Sequence, residues 1–302
     1  MNGKPRFVML VGLPASGKST WAKWACRGWN AVCVSSDAIR AELYGDEAIQ
    51  GKPAEVFKIA KDRIVHWLNE GEDVILDATN MSSKRRVAML RELKQRVKEP
   101  FYAECQVFAT PIEVCVKRDT ARDRTVGRSV IETMAKQFEV PYYHEGWDYI
   151  GLHFSEEVLH GDELIDEMVG FDQMNPHHSL DLLQHTIATA RKLGGEEEDT
   201  LFEAALWHDV GKLFTQTFDD KGVAHYYSHE KVSCYTYLCT YEARLRDTED
   251  ILEIACLICY HMQPYFCGDD PDAFAEWGRK RGMSRHLIDD IWRLHVADKE
   301  GH

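Results

Sequence analysis

Apolar and polar residues are arranged in two distinct ways along the first half of the chain. Short apolar runs predict strands, whereas apolar residues that recur every three or four positions predict helices. The predicted strands cover residues 6–11, 31–37, 73–80 and 102–110, and the predicted helices cover 18–29, 54–69 and 83–98. Strands that alternate with helices predict an α/β domain with a parallel sheet and helices on both faces, and this domain closes near residues 147–154.

The second half of the chain has a different pattern. From Met174 onward, apolar residues recur at helical spacing and β-branched runs are sparse, which predicts an all-α domain. The two halves are joined by SEEVLHGDELIDEMVGFD, a stretch with seven acidic residues. We therefore predict an α/β domain over residues 1–155, a boundary segment over 156–173 and an all-α domain over 174–302.

The charge of the chain, like its pattern of apolar and polar residues, differs between the two halves. Residues 1–150 hold 23 basic and 20 acidic side chains, a net charge of +3, so the remainder holds 13 basic and 30 acidic side chains, a net charge of −17. This asymmetry predicts two domains with different tasks. The net negative charge of the full chain argues against tight, sequence-independent binding of nucleic acid, although the slightly basic first half permits phosphate contacts.

Composition narrows the protein class. Of the 302 residues, 44% are hydrophobic and 28% are charged, as is typical of a globular protein in water. No apolar run approaches the roughly 18 residues of a membrane span, and the first residues do not form a signal peptide. Nine scattered cysteines do not suggest a disulfide framework, so we expect a cytoplasmic protein without a membrane partner. The oligomeric state does not follow from these properties.

The segment GLPASGKS, from Gly12 to Ser19, matches a phosphate-binding loop between a strand and a helix. In such loops, backbone N–H groups cradle phosphates, the lysine meets the β- and γ-phosphates, and the serine hydroxyl reaches Mg²⁺. The motif predicts a site for ATP, or another nucleoside triphosphate, with Mg²⁺. The expected nucleotide and Mg²⁺ ligands are Gly12, Ser16, Gly17, Lys18, Ser19 and Thr20, together with Asp77 at the end of the third strand.

Two strand ends offer candidates for the acceptor site. Asp37 follows the second strand, where an aspartate can accept the proton of an incoming hydroxyl group. Arg40, one helical turn later, is suited to hold an acceptor phosphate, and we expect Thr79 and Asn80 to contribute from the third strand. The alternative is that Asp37 merely caps the following helix, because aspartate is a favoured N-cap.

The second half contains histidines and aspartates in apolar, helix-like surroundings. They are His185, His208, Asp209, His229, His261 and Asp298. Imidazole and carboxylate together suit first-row metals, so we expect one or two ions of Mn, Fe, Co, Ni or Zn. His177 and His178 follow a proline-marked turn and are weaker candidates than His185. His225, His286 and His295 have no expected role, and Cys256 and Cys259 are expected in the core.

With these motifs, residues 6–150 resemble the kinase domain of phage-type 5′-hydroxyl polynucleotide kinases. The resemblance is carried by GLPASGKST, SSDAIR, LDATN and VKRDTARDRTVGRSVIETMAKQFEVP. It implies that Lys18, Asp37 and Arg122 are catalytic, that Arg40 holds the acceptor phosphate, and that Arg118 and Arg122 are lid arginines. Without it, the arginines from Arg118 to Arg128 would be a solvated basic face. The aspartate-based D-x-D-x-T phosphatase motif that often accompanies such kinases does not occur.

The H…HD…H…H…D pattern of residues 174–302 resembles the HD phosphohydrolase superfamily, whose fold is a helical bundle. The resemblance implies four core ligands, His185, His208, Asp209 and Asp298. It also implies that His229 and His261 hold a second metal, with Asp209 as a bridging and catalytic residue. Lys212 matches a basic residue that contacts substrate phosphate.

Together the two resemblances predict a bifunctional enzyme that heals nucleic-acid ends. We expect an ATP-dependent 5′-OH polynucleotide kinase and a metal-dependent 3′-phosphatase or 2′,3′-cyclic phosphodiesterase. Its partners would be ends of RNA, or of DNA, and a ligase that acts afterwards. Two alternatives stay open: a small-molecule or nucleoside kinase fused to a nucleotide phosphohydrolase, and a regulatory protein that senses nucleotides.

Overall fold

The protein is described by a computed structural model that covers residues 3–47, 49, 51–175, 180–194 and 199–301. His177 and His178 lie outside the described residues. The chain divides into two compact units: the first comprises Met1–Glu132 and Pro141–Ser155, and the second comprises Thr133–Val140 and Glu156–His302.

The first unit is built on a five-stranded parallel sheet with the order β2-β3-β1-β4-β5. Phe7 of the central strand pairs with Val74 on one side and with Ala103 on the other. The sheet confirms the predicted α/β fold and adds a fifth strand where the sequence predicted only the end of the domain. The strands are β1 (Arg6–Val11), β2 (Val32–Ser35), β3 (Val74–Asp77), β4 (Tyr102–Ala109) and β5 (Tyr149–Phe154).

Helices connect these parallel strands and cover the sheet. Apolar side chains of the sheet, among them Val8, Leu10 and Ile75, form a buried cluster with Ala22 and Ala25 of the first helix. The helices are α1 (Lys18–Trp29), α2 (Ser36–Tyr44), α3 (Pro53–Asn69), α4 (Ser83–Arg96), α5 (Ile112–Thr120) and α6 (Arg128–Ala135), and a short 3₁₀ helix covers Tyr143–Glu145.

The second unit is helical, as the sequence predicted. It contains α7 (Gly161–Met168), α8 (Leu182–Leu193), α9 (Thr200–Trp207), α10 (Lys212–Thr215), α11 (His229–Leu238), α12 (Tyr241–Arg244), α13 (Thr248–Tyr260), α14 (Gln263–Phe266), α15 (Pro271–Lys280) and α16 (Arg285–Glu300). Two short antiparallel strands, β6 (Thr217–Phe218) and β7 (Ala224–His225), form a hairpin that the periodicity did not predict.

Side chains at the helix ends explain where several of these helices begin. Asp181 accepts a hydrogen bond from the Gln184 N–H at 2.8 Å and starts α8, and Ser284 accepts one from the Leu287 N–H at 3.1 Å and starts α16. Such caps satisfy N–H groups that have no partner within the helix. No helix in the described ranges is both long and apolar enough to cross a membrane.

Candidate functional site

The phosphate-binding loop has an unusual backbone. Gly12, Ala15 and Gly17 all have positive φ, at 153°, 62° and 104°. Left-handed residues within a tight turn are typical of loops whose N–H groups surround an anion. The ammonium group of Lys18 donates to the Leu13 carbonyl at 2.5 Å and to Ser16 Oγ at 3.3 Å, so it lies folded over the loop.

Residues of β3 and β4 hold this loop in place. A Cβ at Gly12 would lie 3.0 Å from the Phe108 carbonyl oxygen, so the close approach of β4 requires glycine. The Gly12 N–H donates to the Thr79 carbonyl at 3.1 Å, and the Asn80 amide donates to the Leu10 carbonyl at 2.8 Å. The structure thus places Thr79 and Asn80, which we expected at the acceptor, in contacts that shape the nucleotide loop.

Buried Lys18 and half-buried Asp77 lie near each other at the foot of the loop. Burial lowers the pKa of Lys18 to about 8, although the charge of Asp77 opposes this shift. Burial also raises the pKa of Asp77, against a hydrogen bond from Ser19 and the charge of Lys18. The linked Ser19 hydroxyl and Asp77 carboxylate are oxygen donors of the kind that Mg²⁺ binds beside substrate phosphates.

At the end of β2, the residue that caps α2 is Ser35 rather than Asp37. Ser35 Oγ accepts a hydrogen bond from the Ala38 N–H at 3.4 Å, so the helix does not depend on Asp37 for its cap. Asp37 instead pairs with the guanidinium of Arg40. Nε of Arg40 is buried and makes no hydrogen bond within the described chain, and this donor fits an acceptor anion.

Arg118 of α5 and the two arginines that follow this helix lie in different places. Arg118 donates to Ser155 Oγ at 3.1 Å, whereas Arg122 is near enough to Lys18 for its charge to lower the pKa of that lysine, whose shift is mainly due to burial. Arg124 reaches the acceptor side: its guanidinium lies 2.8 Å from Glu47 Oε1 and 3.7 Å from Asp37 Oδ2. Sequence reasoning left Arg124 on a solvated face, because nothing local shows that it meets Asp37.

In the second unit, helix ends bring the expected metal ligands together. His208 and His261 directly follow α9 and α13, and His229 is the first residue of α11. His185 lies in the first turns of α8 and Asp298 in the last turn of α16. Ligand atoms fall into two groups, each within 4.8 Å: His185, His208, Asp209 and Asp298, and Asp209, His229 and His261.

Each of the four histidines turns Nδ1 towards a backbone carbonyl. The distances are 2.7 Å from His208 to Ala205 O, 2.8 Å from His229 to Tyr226 O, 2.8 Å from His261 to Ile258 O, and 3.3 Å from His185 to Gly301 O. A carbonyl oxygen only accepts, so Nδ1 carries a proton, and Nε2 has a lone pair whenever the ring is neutral. Backbone contacts of this kind orient metal-binding histidines.

The Nε2 atoms converge on Asp209. His185 and His208 lie 3.2 and 3.4 Å from Asp209 Oδ2, whereas His229 lies 3.1 Å from Oδ1. Asp298 Oδ1 is 3.0 Å from His185 Nε2. Ligands about 2.1 Å from an ion are separated by roughly 3.0–3.4 Å, so these spacings suit first-row divalent metals. His208 Nε2 is buried without a hydrogen bond in the described chain, which also fits a metal ligand.

The electrostatics of this cluster are strongly perturbed. Burial disfavours a charged ring at His208, yet Asp209 and Asp298 raise its pKa to about 10. Burial and the charges of His208 and His229 lower the pKa of His261 to about 3. Burial opposes ionisation of Asp209, but Lys212 and His208 hold its pKa well below the usual range. Protons on the buried imidazoles thus balance carboxylates that divalent cations would otherwise neutralise.

Lys212 is buried inside the cluster rather than displayed to solvent. Its Nζ lies 2.6 Å from Asp209 Oδ2 and donates to Gln173 Oε1 at 2.7 Å, 5.5 Å from the centre of the Tyr226 ring. Gln173 belongs to the predicted boundary segment, so sequence reasoning missed it. No periodicity marks this residue, because its position depends on the tertiary fold.

The other histidines and cysteines that the structure describes lie outside the two ligand groups. His225 is 3.5 Å from Asp219, and His295 is 2.9 Å from Asp269. His286, with Asp290 and Glu253, forms a third group of candidate ligands, in which His286 is exposed and Arg293 lies 2.9 Å from Asp290. Cys256 and Cys259 are buried in α13.

Comparison with known families agrees with this geometry. An AAA domain model matches residues 7–141, and an HD domain model matches residues 177–284. This chain joins a P-loop domain of kinase fold to an HD domain. The two domains indicate an enzyme. Asp298 lies beyond the matched part of the HD domain and is assigned to the cluster by its distances alone.

Known proteins match parts of the chain. Transcription factor bHLH140 of Arabidopsis thaliana is 27% identical over 160 residues, which are 49% of this chain and 16% of that protein. The L-seryl-tRNA(Sec) kinase of Methanococcus maripaludis is 22% identical over 225 residues, which are 72% of this chain and 84% of the kinase. A chain of the solved Pnkp1/Rnl/Hen1 RNA repair complex is 27% identical, with 45% of each chain covered and a TM-score of 0.39. The chain thus spans less than half of bHLH140 and of the repair protein.

Proposed function

We propose that this protein heals broken nucleic-acid ends, with RNA as its main substrate. Its P-loop domain transfers the γ-phosphate of ATP to a 5′-OH, and its HD domain removes a 3′-phosphate or opens a 2′,3′-cyclic phosphate. The observation that carries the proposal is one chain that holds both an Asp37–Arg40 pair beside a phosphate-binding loop and a buried cluster of four histidines around Asp209. Acting on opposite ends of a break, the two activities cooperate, whereas on one small molecule they would cancel each other.

In the P-loop domain, the residues divide the work of phosphoryl transfer. Lys18 leaves the Leu13 carbonyl and binds the β- and γ-phosphates, while Ser19 and Asp77 would hold Mg²⁺, which would neutralise charge on these phosphates. Arg40 exchanges Asp37 for the acceptor phosphate, and Asp37 then accepts the proton of the 5′-OH. Arg122 stabilises charge on the transferred phosphoryl group. The kinase acting on seryl-tRNA, a relative by sequence, supports chemistry at a hydroxyl group carried by RNA.

In the HD domain, the chain supplies a rigid and charged pocket. When bound, divalent ions supply Lewis acidity for a phosphoryl group and lower the pKa of attacking water. The backbone contacts of Nδ1 fix the ring orientations, and Asp209 connects the two ligand groups. Lys212, held by Gln173 and Asp209, adds a positive charge that attracts a substrate phosphate.

The test uses the purified full chain, labelled ATP and four kinds of acceptor: RNA and DNA oligonucleotides with 5′-OH ends, nucleosides and sugars. The same preparation is offered oligonucleotides with 3′-phosphate and 2′,3′-cyclic phosphate ends together with each divalent metal. Lys18→Ala should abolish phosphorylation and spare hydrolysis, and Asp209→Ala should do the reverse. Phosphorylation of only small acceptors would contradict the proposal and favour the small-molecule kinase.

A further inference from the structure

The exposed side of α1 carries an open cavity of about 650 Å³, and of its lining residues only Thr20 is expected at the nucleotide site. The cavity is lined by Thr20, Lys23, Trp24, Arg27 and Gly28. Residues spaced by three or four positions lie on the same side of a helix, so these five form one continuous row, here called the α1 stripe. Thr20 directly follows Ser19 of the phosphate-binding loop, and the α1 stripe therefore begins at the active site.

Trp24 is the centre of the α1 stripe. It is 63% exposed, although a large aromatic side chain normally contributes most when it is buried. Its ring contacts Trp29 edge to face at 6.5 Å, and Trp29 in turn lies 4.4 Å from the guanidinium of Arg6. The indole is thus supported by its neighbours while much of it stays open to solvent.

The charges beside Trp24 are both positive. Lys23 and Arg27 are exposed, and within the described part of the chain neither forms an ion pair with an acidic side chain. Arg63 and Arg128 of the same domain are instead paired with glutamates. Both cations are therefore available to phosphates, in a half of the chain whose net charge is +3.

We propose that the α1 stripe binds the single strand that carries the acceptor 5′-OH. A base stacks on Trp24, and Lys23 and Arg27 contact the flanking phosphates, which is how proteins bind single strands without reading sequence. From Thr20 to Arg27 the helix rises about 10 Å, the length of roughly three stacked nucleotides. This inference rests on the proposed kinase activity and makes its acceptor a polynucleotide rather than a nucleoside or sugar.

The chemistry of the α1 stripe favours nucleic acid over a protein partner. Protein interfaces have a central patch of apolar residues from which charged side chains are depleted. Here a single aromatic ring lies between two free cations on the same helix. A π-face with phosphate-binding groups on both sides matches the repeating base and phosphate of a strand.

The test compares acceptors of two and twelve nucleotides with the wild-type chain, Trp24→Ala, Trp24→Phe and Lys23→Gln/Arg27→Gln. For Trp24→Ala we expect the KM of the twelve-nucleotide RNA to rise about tenfold, with little change for the dinucleotide and none for ATP. Trp24→Phe should keep the KM of the twelve-nucleotide RNA close to that of the wild type. Trp67→Ala is the matched control, because Trp67 is an exposed tryptophan of α3 in the same unit.

Direct binding separates this inference from the proposed function. Fluorescence anisotropy of the twelve-nucleotide RNA should show the same loss for Trp24→Ala and a salt dependence reduced by about 0.7 per lost phosphate contact in the double variant. Unchanged binding and KM in these variants would overturn the α1 stripe as a strand site, even if the kinase is active. Weakened binding by a chain that phosphorylates no 5′-OH would support the strand site and contradict the kinase. A raised KM for ATP would assign Trp24 to the donor nucleotide and also overturn the inference.

Discussion

The histidines of the candidate metal centre show how single residues can prepare such a site. Each ring uses Nδ1 for a backbone carbonyl and directs Nε2 to the carboxylates of Asp209 and Asp298. The tautomer is thereby set by the main chain before any ion arrives. A metal ion that binds here must displace protons, because the same carboxylates favour protonated rings at His185 and His208.

Metal binding should therefore release protons. Burial opposes charge at His208, but the nearby carboxylates raise its pKa to about 10, so the ring is protonated at pH 7.5 and must lose its proton to bind an ion. His261, with a pKa of about 3, is already neutral. We expect about one to two protons released per first ion bound, and an affinity that rises from pH 6.5 to 8.5. Titration calorimetry in buffers of different ionisation enthalpy measures this, and an affinity that falls with pH would contradict it.

Arg124 provides a second test at the scale of one residue. Its guanidinium connects Glu47 to the surroundings of Asp37, where an acceptor phosphate is expected. Arg124→Ala should raise the KM of a 5′-OH oligonucleotide about tenfold and leave the KM of ATP unchanged, because a charged hydrogen-bond donor is lost on the acceptor side alone. Arg128→Ala is the control, since Arg128 pairs with Glu113 and Glu132 instead. Equal effects of both variants would remove Arg124 from the acceptor site.

At the scale of elements, close packing of short segments sets the positions of the ligands. Gly211, directly before α10, lies against the start of α11: its N–H donates to Ser233 Oγ at 2.8 Å. A Cβ at this position would lie 2.4 Å from the His229 carbonyl oxygen and 2.6 Å from the Ser233 nitrogen. Both neighbours are backbone atoms of α11, so they can yield only if the helix moves.

Gly211→Ala should consequently displace His229 and weaken the second ligand group. We expect at least a tenfold loss of hydrolase activity and about one ion fewer per chain by elemental analysis, while kinase activity is retained. Ser233→Ala, which removes only the hydroxyl group, should have a much smaller effect. A Gly211→Ala protein with a full metal content and normal hydrolysis would show that α11 adapts without cost.

The sequence predicted most elements and a set of histidines and aspartates that lie together in the structure, but not the contacts that depend on the tertiary fold. The motif from Gly12 to Ser19 and the histidines were visible, because phosphate loops and metal sites need particular residues at particular spacings. Gln173 and Arg124 were not, since their partners are distant in sequence. The cap at Ser35 and the hairpin of β6 and β7 were missed because several turn residues lie side by side there.

At the scale of the whole molecule, the chain consists of two compact units with their own cores. Beyond the packing of apolar residues, each unit contains a highly charged candidate site. In the first it surrounds Lys18 and Asp77, and in the second it surrounds Asp209. Ligands that neutralise one centre should stabilise the unit that contains it.

Calorimetry of the full chain can test this expectation. A non-hydrolysable ATP analogue with Mg²⁺ should raise the temperature of one unfolding transition, and a chelator of transition metals should lower that of the other. Asp209→Ala should abolish the second response and preserve the first, and Lys18→Ala should do the opposite. A single transition that responds to both treatments would show that the two units unfold together.

Among the described residues, Asp209 alone belongs to both ligand groups, with one carboxylate oxygen towards each. A single codon therefore controls both halves of the centre. A gene that acquires one missense change there would still encode the helices and the phosphate-binding loop. Under the proposed function, its descendants would retain the kinase alone, and their cells would depend on another gene for the opposite end of every break.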